Sequence, residues 1–427
     1  MALEQMSEHT WQFSPGPFDV HAHPRVFDTQ TQDGFVSLNE GTEGKAGLRI
    51  YTEAAIHSGI TGMAAMPNES VRRYDETIEG RTEEIPYPIA NTDRVIAMQA
   101  AIEDRAVIPT AIHFGLDPET AFWDMDKIRL KEPFLSREFS RVRDECVGLK
   151  VYLAETTGGN NIALGHGARV AEIWHRINPE KPVIFHVEGG DVAVLLNDIY
   201  HRKGGKEIPL HIAHISSRQE LEAVIAAKEA GMDVTCEVTP HHLFLDESVR
   251  DLIGGYGCMK PSLKSKADKE YLWGNMRYID IFASDCAPHR ISDKEKDKPA
   301  FGVTNHTIML PLLLGAVADG RLAMEDVYAK FCTNPRERFN LPLDDGSFTR
   351  VLTTPGSEEI TAEEHDGRAR YGQNPFVRLG GDFHLLGEVV RVEAGRSTAY
   401  SQYESDLHTS YTHLIRPKNI ATTERQA

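Results

Sequence analysis

The stretch FDVHAHPR, at positions 18–25, places two histidines one residue apart directly after an apolar pair. In an extended strand, residues i and i+2 point to the same side, so His21 and His23 can reach one metal ion together. Taken alone, the pattern is explained more simply by two hydrogen-bonded core histidines. The choice depends on whether the rest of the chain supplies further ligands in a matching order.

Four more residues of ligand type lie in or directly after short apolar segments: Lys150 in GLKVYL, His186 in VIFHV, His214 in LHIAHI and Asp285 in FASDCAPH. Burial lowers the pKa of a lysine, and a neutral amine can react with carbon dioxide to give a carbamate with two oxygens. Each residue alone has an ordinary explanation, such as a lysine that extends out of the sheet or an aspartate that caps a helix. Together, four imidazoles, a carbamate and an aspartate suit two divalent cations of the zinc class.

The segments around these residues predict alternating strands and helices. PVIFHV, PLHIAHI, MDVTCEV and YIDIFAS are short apolar runs typical of buried parallel strands. SSRQELEAVIAAKEAG predicts a helix that begins at Ser216 or Ser217 and ends at Gly231. Residues of catalytic type at successive strand ends are typical of a (β/α)8 barrel. A doubly wound sheet would instead be expected to carry a glycine-rich phosphate loop, which we do not find.

Composition narrows the class of protein further. The chain has 427 residues, of which 41% are hydrophobic and 26% charged, in keeping with a barrel around one large core. The net charge of −18 disfavours nucleic-acid binding. We find no apolar run typical of a membrane span and no secretory signal. The five cysteines form no CxxC pair, so we expect a cytoplasmic protein without a disulfide framework.

Three segments are expected along the chain. Residues 1–17 would form an N-terminal extension, 18–342 the TIM-type α/β barrel, and 343–427 accessory strands and a tail. FHLLGEVVRVEAGR predicts strands in the last segment. The first segment is expected to lack sandwich strands, so a small β-rich accessory part would come mainly from the C-terminus.

These motifs resemble those of the dihydroorotases, a family of the amidohydrolase superfamily. The likeness covers about positions 18–342 and rests on DVHAHPR, AMPN, GLKVYL, HIAHIS, VTCEVTPHHLFL and FASDCAPH. NMRYIDIFASDCAPH and TIMLPLLLGAV are especially similar to the dihydroorotase domain of the multifunctional animal pyrimidine enzyme. The resemblance implies the reversible cyclisation of N-carbamoyl-L-aspartate to L-dihydroorotate in pyrimidine biosynthesis, with two zinc ions as cofactors.

The resemblance also assigns six metal ligands, which are His21, His23, Lys150, His186, His214 and Asp285. The first two histidines and the aspartate would bind one metal, and the last two histidines would bind the second. The lysine, carboxylated on its amine, would bridge the metals. Asp285 would also act as general acid and base.

Five further residues would contact the substrate. Arg25, Asn68 and His289 match the family positions that hold its free carboxylate, and an arginine can grip a carboxylate with two parallel hydrogen bonds. Thr156 and Thr157, in AETTGGNN, resemble the lid of the shorter, bacterial-type dihydroorotases.

Two positions depart from the family pattern. Cys286 stands where many relatives have histidine, and a cysteine near metals is open to oxidation. Lys260 stands where the animal domain has arginine, so it would contact a carboxylate without the two parallel hydrogen bonds that a guanidinium donates.

Two other functions remain open. A hydantoinase, dihydropyrimidinase or allantoinase would share the metals but bind rings without the same carboxylate, and Arg25 with Asn68 favours a dihydroorotase. A catalytically silent homologue could scaffold a transcarbamoylase, although all six ligand positions are filled. We expect a homo-oligomer, a dimer, with an aspartate transcarbamoylase as a candidate partner.

Overall fold

The structure is a computed structural model that describes residues 2–24, 27–31, 34–37, 48–67, 91–116, 123–124, 129–130, 144–156, 161–289, 291–353, 374–380, 383–394, 398–401 and 404–409. The strands are β1 (Ala2–Ser7), β2 (Thr10–Ser14), β3 (Phe18–Ala22), β4 (Phe27–Thr31), β5 (Gly34–Ser37), β6 (Gly62–Ala65), β7 (Thr110–Ile112), β8 (Phe114–Gly115), β9 (Trp123–Asp124), β10 (Arg129–Leu130), β11 (Leu149–Tyr152), β12 (Val183–His186), β13 (Leu210–Ile212), β14 (Val234–Val238), β15 (Ile281–Phe282), β16 (Phe348–Leu352), β17 (Glu388–Ala394), β18 (Thr398–Ser401) and β19 (Glu404–Thr409).

The α-helices span Leu48–His57, Asn91–Arg105, Gly167–Ile177, Asp191–Tyr200, Arg218–Glu229, Pro240–Phe244, Arg250–Ile253, Lys266–Gly274, Ile291–Lys294, His306–Ala318, Met324–Tyr328, Asn334–Arg338 and Pro375–Leu379. Short 3-10 helices span Leu164–His166, Gly205–Glu207, Glu247–Val249, Gly254–Gly257 and Met276–Tyr278, and a π-helical turn spans Ala329–Thr333. Within the described ranges, none of the helices has the length and apolar composition that a membrane span requires.

Parallel strands form the barrel. β3, β6 and β7 make one sheet, and β8, β11, β12, β13, β14 and β15 make the other. The sheets meet where the Val147 amide donates to the Ile112 carbonyl at 2.9 Å. The barrel closes where the His23 amide donates to the Cys286 carbonyl at 3.0 Å. With β7 and β8 counted as one position, the described strands occupy eight positions, which confirms the predicted barrel.

Local sequence accounts for the strand–helix rhythm. Each of the four apolar runs contains one barrel strand, β12 to β15, because their buried residues pack on both faces of the sheet. The predicted helix begins after Ser217, whose hydroxyl accepts a hydrogen bond from the Glu220 amide at 3.3 Å. It ends before Gly231, whose φ of +79° suits glycine.

The N-terminus corrects one prediction. β1 and β2 belong to a six-stranded antiparallel sheet in the order β1-β2-β16-β17-β18-β19. The expectation that the first 17 residues lack accessory strands was therefore wrong. The C-terminal segment supplies four of these strands, and Trp11 of β2 lies opposite Val351 of β16. The pairing joins distant parts of the chain, so local composition did not reveal it.

Arg336 links the accessory sheet to the barrel. Its side chain is buried and donates to the Gly16 carbonyl at 3.0 Å and to the Ser347 hydroxyl at 3.1 Å. It also pairs with the Asp345 carboxylate at 3.1 Å. Gly16 lies just before β3 of the barrel, and Ser347 lies just before β16 of the accessory sheet. One buried guanidinium therefore binds both the barrel and the accessory sheet.

Candidate active site

A cavity lies at the carboxyl ends of the barrel strands. Its volume is about 370 Å³, including the open mouth. It is lined by His21, His23, Lys150, Tyr152, Thr156, His186, His214, Lys260, Asp285, Ala287, Phe301 and Gly302. All six predicted metal ligands therefore face the same cavity, although they come from five different strands or the turns that follow them.

The first cluster gathers around Asp285. One carboxylate oxygen, Oδ1, lies 2.8 Å from Nε2 of His23 and 3.3 Å from Nε2 of His21. Burial alone would raise the pKa of Asp285, but the two histidines outweigh it and hold this pKa below its usual range. Donor atoms of His21, His214 and Asp285 all lie within 4.8 Å of one another, so ligands predicted for the two different metals adjoin in one group.

Lys150 is completely buried on β11 and lines the same cavity as the histidines. Its Nζ lies 3.4 Å from Nε2 of His21. Burial lowers the pKa of Lys150 to about 8, although the negative charges of Glu237 and Asp285 act to raise it. A larger neutral fraction of the amine at pH 7 is what reaction with carbon dioxide requires.

The second cluster consists of His186 and His214. Nδ1 of His186 lies 2.7 Å from Nε2 of His214. Burial is the largest cause that lowers the pKa of both imidazoles, so they are present as neutral rings. Nδ1 of His214 is buried without a hydrogen-bond partner in the described part of the chain. Neutral, converging imidazoles with an unused ring nitrogen fit a zinc-class cation.

An unusual backbone conformation orients two of these ligands. His214 has a φ of +37° and Asp285 a φ of +48°, a region that non-glycine residues seldom adopt. Both residues lie in turns that follow barrel strands, where the chain must leave the sheet. Such strain is typical of functional sites, because the surrounding fold holds the residue there.

Glu237, on β14, supports the ligands from a buried position, although no role was predicted for it. Its carboxylate contacts Nδ1 of His21 and lies 3.0 Å from Nε2 of His211. It also accepts the His214 amide at 3.2 Å. Burial raises its pKa, but His21 and His211 outweigh this and hold the pKa well below its usual range. An ionised Glu237 keeps a proton on Nδ1 of His21, which leaves Nε2 free to bind a metal.

A sequence signal for Glu237 did exist. Thr235 and Glu237 are two apart on β14 and therefore share a face, and Thr235 contacts His211 at 2.9 Å. The alternation indicates an inward carboxylate, but it does not identify the histidines that the carboxylate meets.

The predicted substrate residues are only partly described. Thr156 lines the cavity and is half-buried. His289 is buried and is not among the residues that line the cavity; its Nε2 donates to the carbonyl of Phe301, which does line it, at 2.6 Å. Arg25, Asn68 and Thr157 lie outside the described residues.

One of the two departures from the family pattern lines the cavity, and the other directly follows Asp285 in the chain. Nζ of Lys260 lies 5.1 Å from the centroid of the Phe301 ring, and both residues line the cavity. Cys286 is completely buried, and burial raises the pKa of its thiol to about 12. A buried, protonated thiol is a poor nucleophile, so proximity alone does not make it reactive.

Sequence comparisons find related enzymes over most of the chain. No family model matches it. The multifunctional protein CAD of Squalus acanthias is 30% identical over 82% of this chain, which spans only 13% of that protein's length. The dihydroorotase of Pyrococcus horikoshii is 30% identical, and the alignment covers 85% of this chain and 75% of the relative.

Solved structures show the same fold. The L-hydantoinase of Arthrobacter aurescens matches with a TM-score of 0.67 and 19% identity, over 94% of this chain and 88% of the other. The inactive dihydroorotase-like domain of a CAD-like multifunctional protein from Chaetomium thermophilum matches with a TM-score of 0.59 and 19% identity, over 96% and 97%. At such identities the likeness indicates the barrel architecture and carries no assignment of activity.

Proposed function

This chain belongs to the dihydroorotase family, and we propose that it catalyses the reversible cyclisation of N-carbamoyl-L-aspartate to L-dihydroorotate. The relatives named dihydroorotase support the reaction class. The observation that carries the proposal is the convergence of all six expected ligands on one cavity.

Two divalent cations, zinc in our proposal, would be held by His21, His23, carboxylated Lys150, His186, His214 and Asp285. When bound, such cations lower the pKa of water and polarise a carbonyl oxygen, which is what hydrolysis of an unstrained amide requires. The donor set supports this choice because it combines imidazoles, a carboxylate and a lysine of lowered pKa.

Asp285 would move the proton. In ring opening, water adds to the ring carbonyl carbon and the carbon–nitrogen bond breaks. The ionised Asp285 accepts a proton from the attacking water and delivers it to the leaving nitrogen. Cyclisation runs the same transfers in reverse and releases water. The imidazole of His23 lies 2.8 Å from this carboxylate, within reach of the same cation.

Arg25, Asn68 and His289 would hold the substrate's free carboxylate. Thr156 and Thr157 would contact the substrate from a lid. Lys260 adds a cation at the mouth of the cavity, which helps an acidic protein attract an anionic substrate.

Partners and location are also proposals. We propose a homodimer in the cytoplasm, with an aspartate transcarbamoylase as partner. The chain is similar to a small part of the multifunctional protein CAD, and this similarity supports the proposal of a transcarbamoylase partner. Light scattering of the purified chain, alone and with a transcarbamoylase, tests both associations.

One assay separates the proposed reaction from the alternatives. Purified, zinc-supplied protein is given L-dihydroorotate, hydantoin or dihydrouracil, and ring opening is followed by loss of ultraviolet absorbance. We expect dihydroorotate to be opened fastest. Faster turnover of a ring without a carboxylate would favour a hydantoinase-type enzyme. Two bound metals with no turnover of any of these rings would favour another cyclic amide or an enzyme that needs a partner, whereas an intact protein without bound metal would favour a silent scaffold.

A further inference from the structure

The mouth of the cavity is built from two chain segments that are distant in sequence. The first, 258–261, carries Lys260, and the second, 300–302, carries Phe301 and Gly302. Lys260 and Phe301 contact each other through ammonium and ring. We call these two segments the mouth wall.

One buried side chain ties the mouth wall together. Lys294 is 1% exposed, and its Nζ donates to the carbonyls of Cys258 at 2.9 Å, Ala300 at 2.7 Å and Gly302 at 2.7 Å. An ammonium has three donors, so all of them are used on backbone carbonyls. No carboxylate of a described residue forms an ion pair with Lys294, which leaves the carbonyl dipoles to stabilise its charge.

The surrounding contacts show how fully the second segment is fixed. The Phe301 carbonyl, between the two that Lys294 binds, accepts from His289 at 2.6 Å. Three successive carbonyls therefore all receive side-chain donors. Gly302 also packs closely on the turn after β15, because a Cβ there would lie 2.5 Å from the Ala287 carbonyl oxygen. The Gly302 amide also donates directly to the Cys258 carbonyl at 3.1 Å, so Lys294 adds its three hydrogen bonds to one backbone bond between the two segments. Loss of Lys294 would therefore leave the wall with much weaker tethering.

We propose that Lys294 is a positioning residue for substrate binding: it holds the mouth wall so that Lys260 and Phe301 form a fixed rim for an anionic ring. This inference rests on the proposed function for the identity of the substrate. Lys294 is not among the residues that line the cavity, so it acts through the wall and leaves the metal ligands in place. Its removal should therefore weaken substrate binding more than it slows the chemical step.

The test compares Lys294→Met with Lys296→Met in the zinc-supplied full chain. Lys296 is a matched control because its side chain is 52% exposed and its ion pair, among the described residues, is with the nearby Asp293 at 3.2 Å. Hydrogen exchange followed by mass spectrometry reports on peptides that cover the mouth wall. Steady-state kinetics with L-dihydroorotate and metal content report on the site.

For Lys294→Met we expect faster exchange in both segments, unchanged metal content, and a KM raised at least about tenfold with a smaller change in kcat. Lys296→Met should match the wild type. Wild-type exchange and KM in Lys294→Met would overturn the inference. If Lys294→Met fails to fold, Lys294→Gln, which keeps a shorter donor, decides by the same readouts. A wild-type protein that does not open dihydroorotate would contradict the proposed function. The hydrogen-exchange data would still show whether Lys294 holds the mouth wall.

Discussion

The carboxylate of Glu237 contacts Nδ1 of His21, although 216 positions separate the two residues in the chain. β3 and β14 are not neighbours in the described sheets, so the contact crosses the inside of the barrel. The carboxylate sets which nitrogen of His21 carries the proton, and therefore which nitrogen faces the predicted metals.

Glu237→Gln should weaken metal binding. The amide removes the negative charge that favours a proton on Nδ1 of His21, and loss of such support typically costs about 10- to 100-fold in metal affinity or activity. Zinc competition with a chelator gives the affinity. Glu229→Gln, at the end of an outer helix, is the control. Unchanged zinc affinity in Glu237→Gln would show that His21 is oriented by other contacts.

Lys150→Met should remove the bridging ligand while preserving the barrel. The side chain is fully buried among the ligands, and methionine has a similar length without an amine. We expect loss of at least one metal per chain and loss of ring opening, measured by metal analysis and assay. Lys206→Met is the control, since Lys206 is an exposed lysine whose ammonium donates to the Ala230 carbonyl at 2.9 Å and lies over the Tyr200 ring, away from the ligands. Two retained metals with normal turnover would contradict the role of Lys150.

Glu220→Gln should disturb the second metal more than the first. Its carboxylate accepts the amides of Gly189 at 2.7 Å and Ser216 at 2.6 Å. These amides belong to the turns that follow His186 and His214, so one buried carboxylate holds both turns. We expect lower occupancy of one metal, with Glu222→Gln, on the exposed side of the same helix, unchanged. An equal loss of metal occupancy in Glu220→Gln and Glu222→Gln would indicate that the removed negative charge, and not the position of Glu220, causes the loss.

Thiol labelling should distinguish Cys258 from the other four cysteines. Cys146, Cys236, Cys286 and Cys332 are buried, and burial raises the pKa of each thiol. Cys258 is partly exposed. With iodoacetamide at pH 8, we expect mass spectrometry to find fast labelling at Cys258 alone, and labelling of all five after unfolding. Cys258→Ser should abolish the fast phase. Fast labelling of Cys286 would show that the site opens to solvent.

Arg336→Leu should destabilise the junction between barrel and accessory sheet. It leaves Asp345 and the carbonyls of Gly16 and Cys332 without their buried donor, and breaking a buried pair typically costs about 3–5 kcal/mol. Urea unfolding measures the free energy of unfolding. Arg176→Leu removes an exposed pair with Glu172 and should cost under about 1 kcal/mol. A loss in Arg336→Leu no larger than in this control would mean that the junction does not depend on the guanidinium.

The positions of the ligand residues along the chain could be predicted because they depend on local features. An apolar run predicts a strand, and a polar residue at its end predicts a side chain at the barrel mouth. His186, His214 and Asp285 follow this rule. The pair of His21 and His23 follows from strand alternation alone. The Ser217 cap and Gly231 likewise depend on residues within one helix.

By itself, the sequence determined the strand–helix rhythm, the barrel class and the identity of the candidate ligands, since each depends on neighbours a few residues apart. Only the tertiary structure decided which distant groups meet. The contact of Glu237 with His21, the pairing of β2 with β16 and the three carbonyls around Lys294 join positions far apart in the chain. Such contacts arise from barrel closure and burial, which act on the whole chain at once, so no local pattern specifies them.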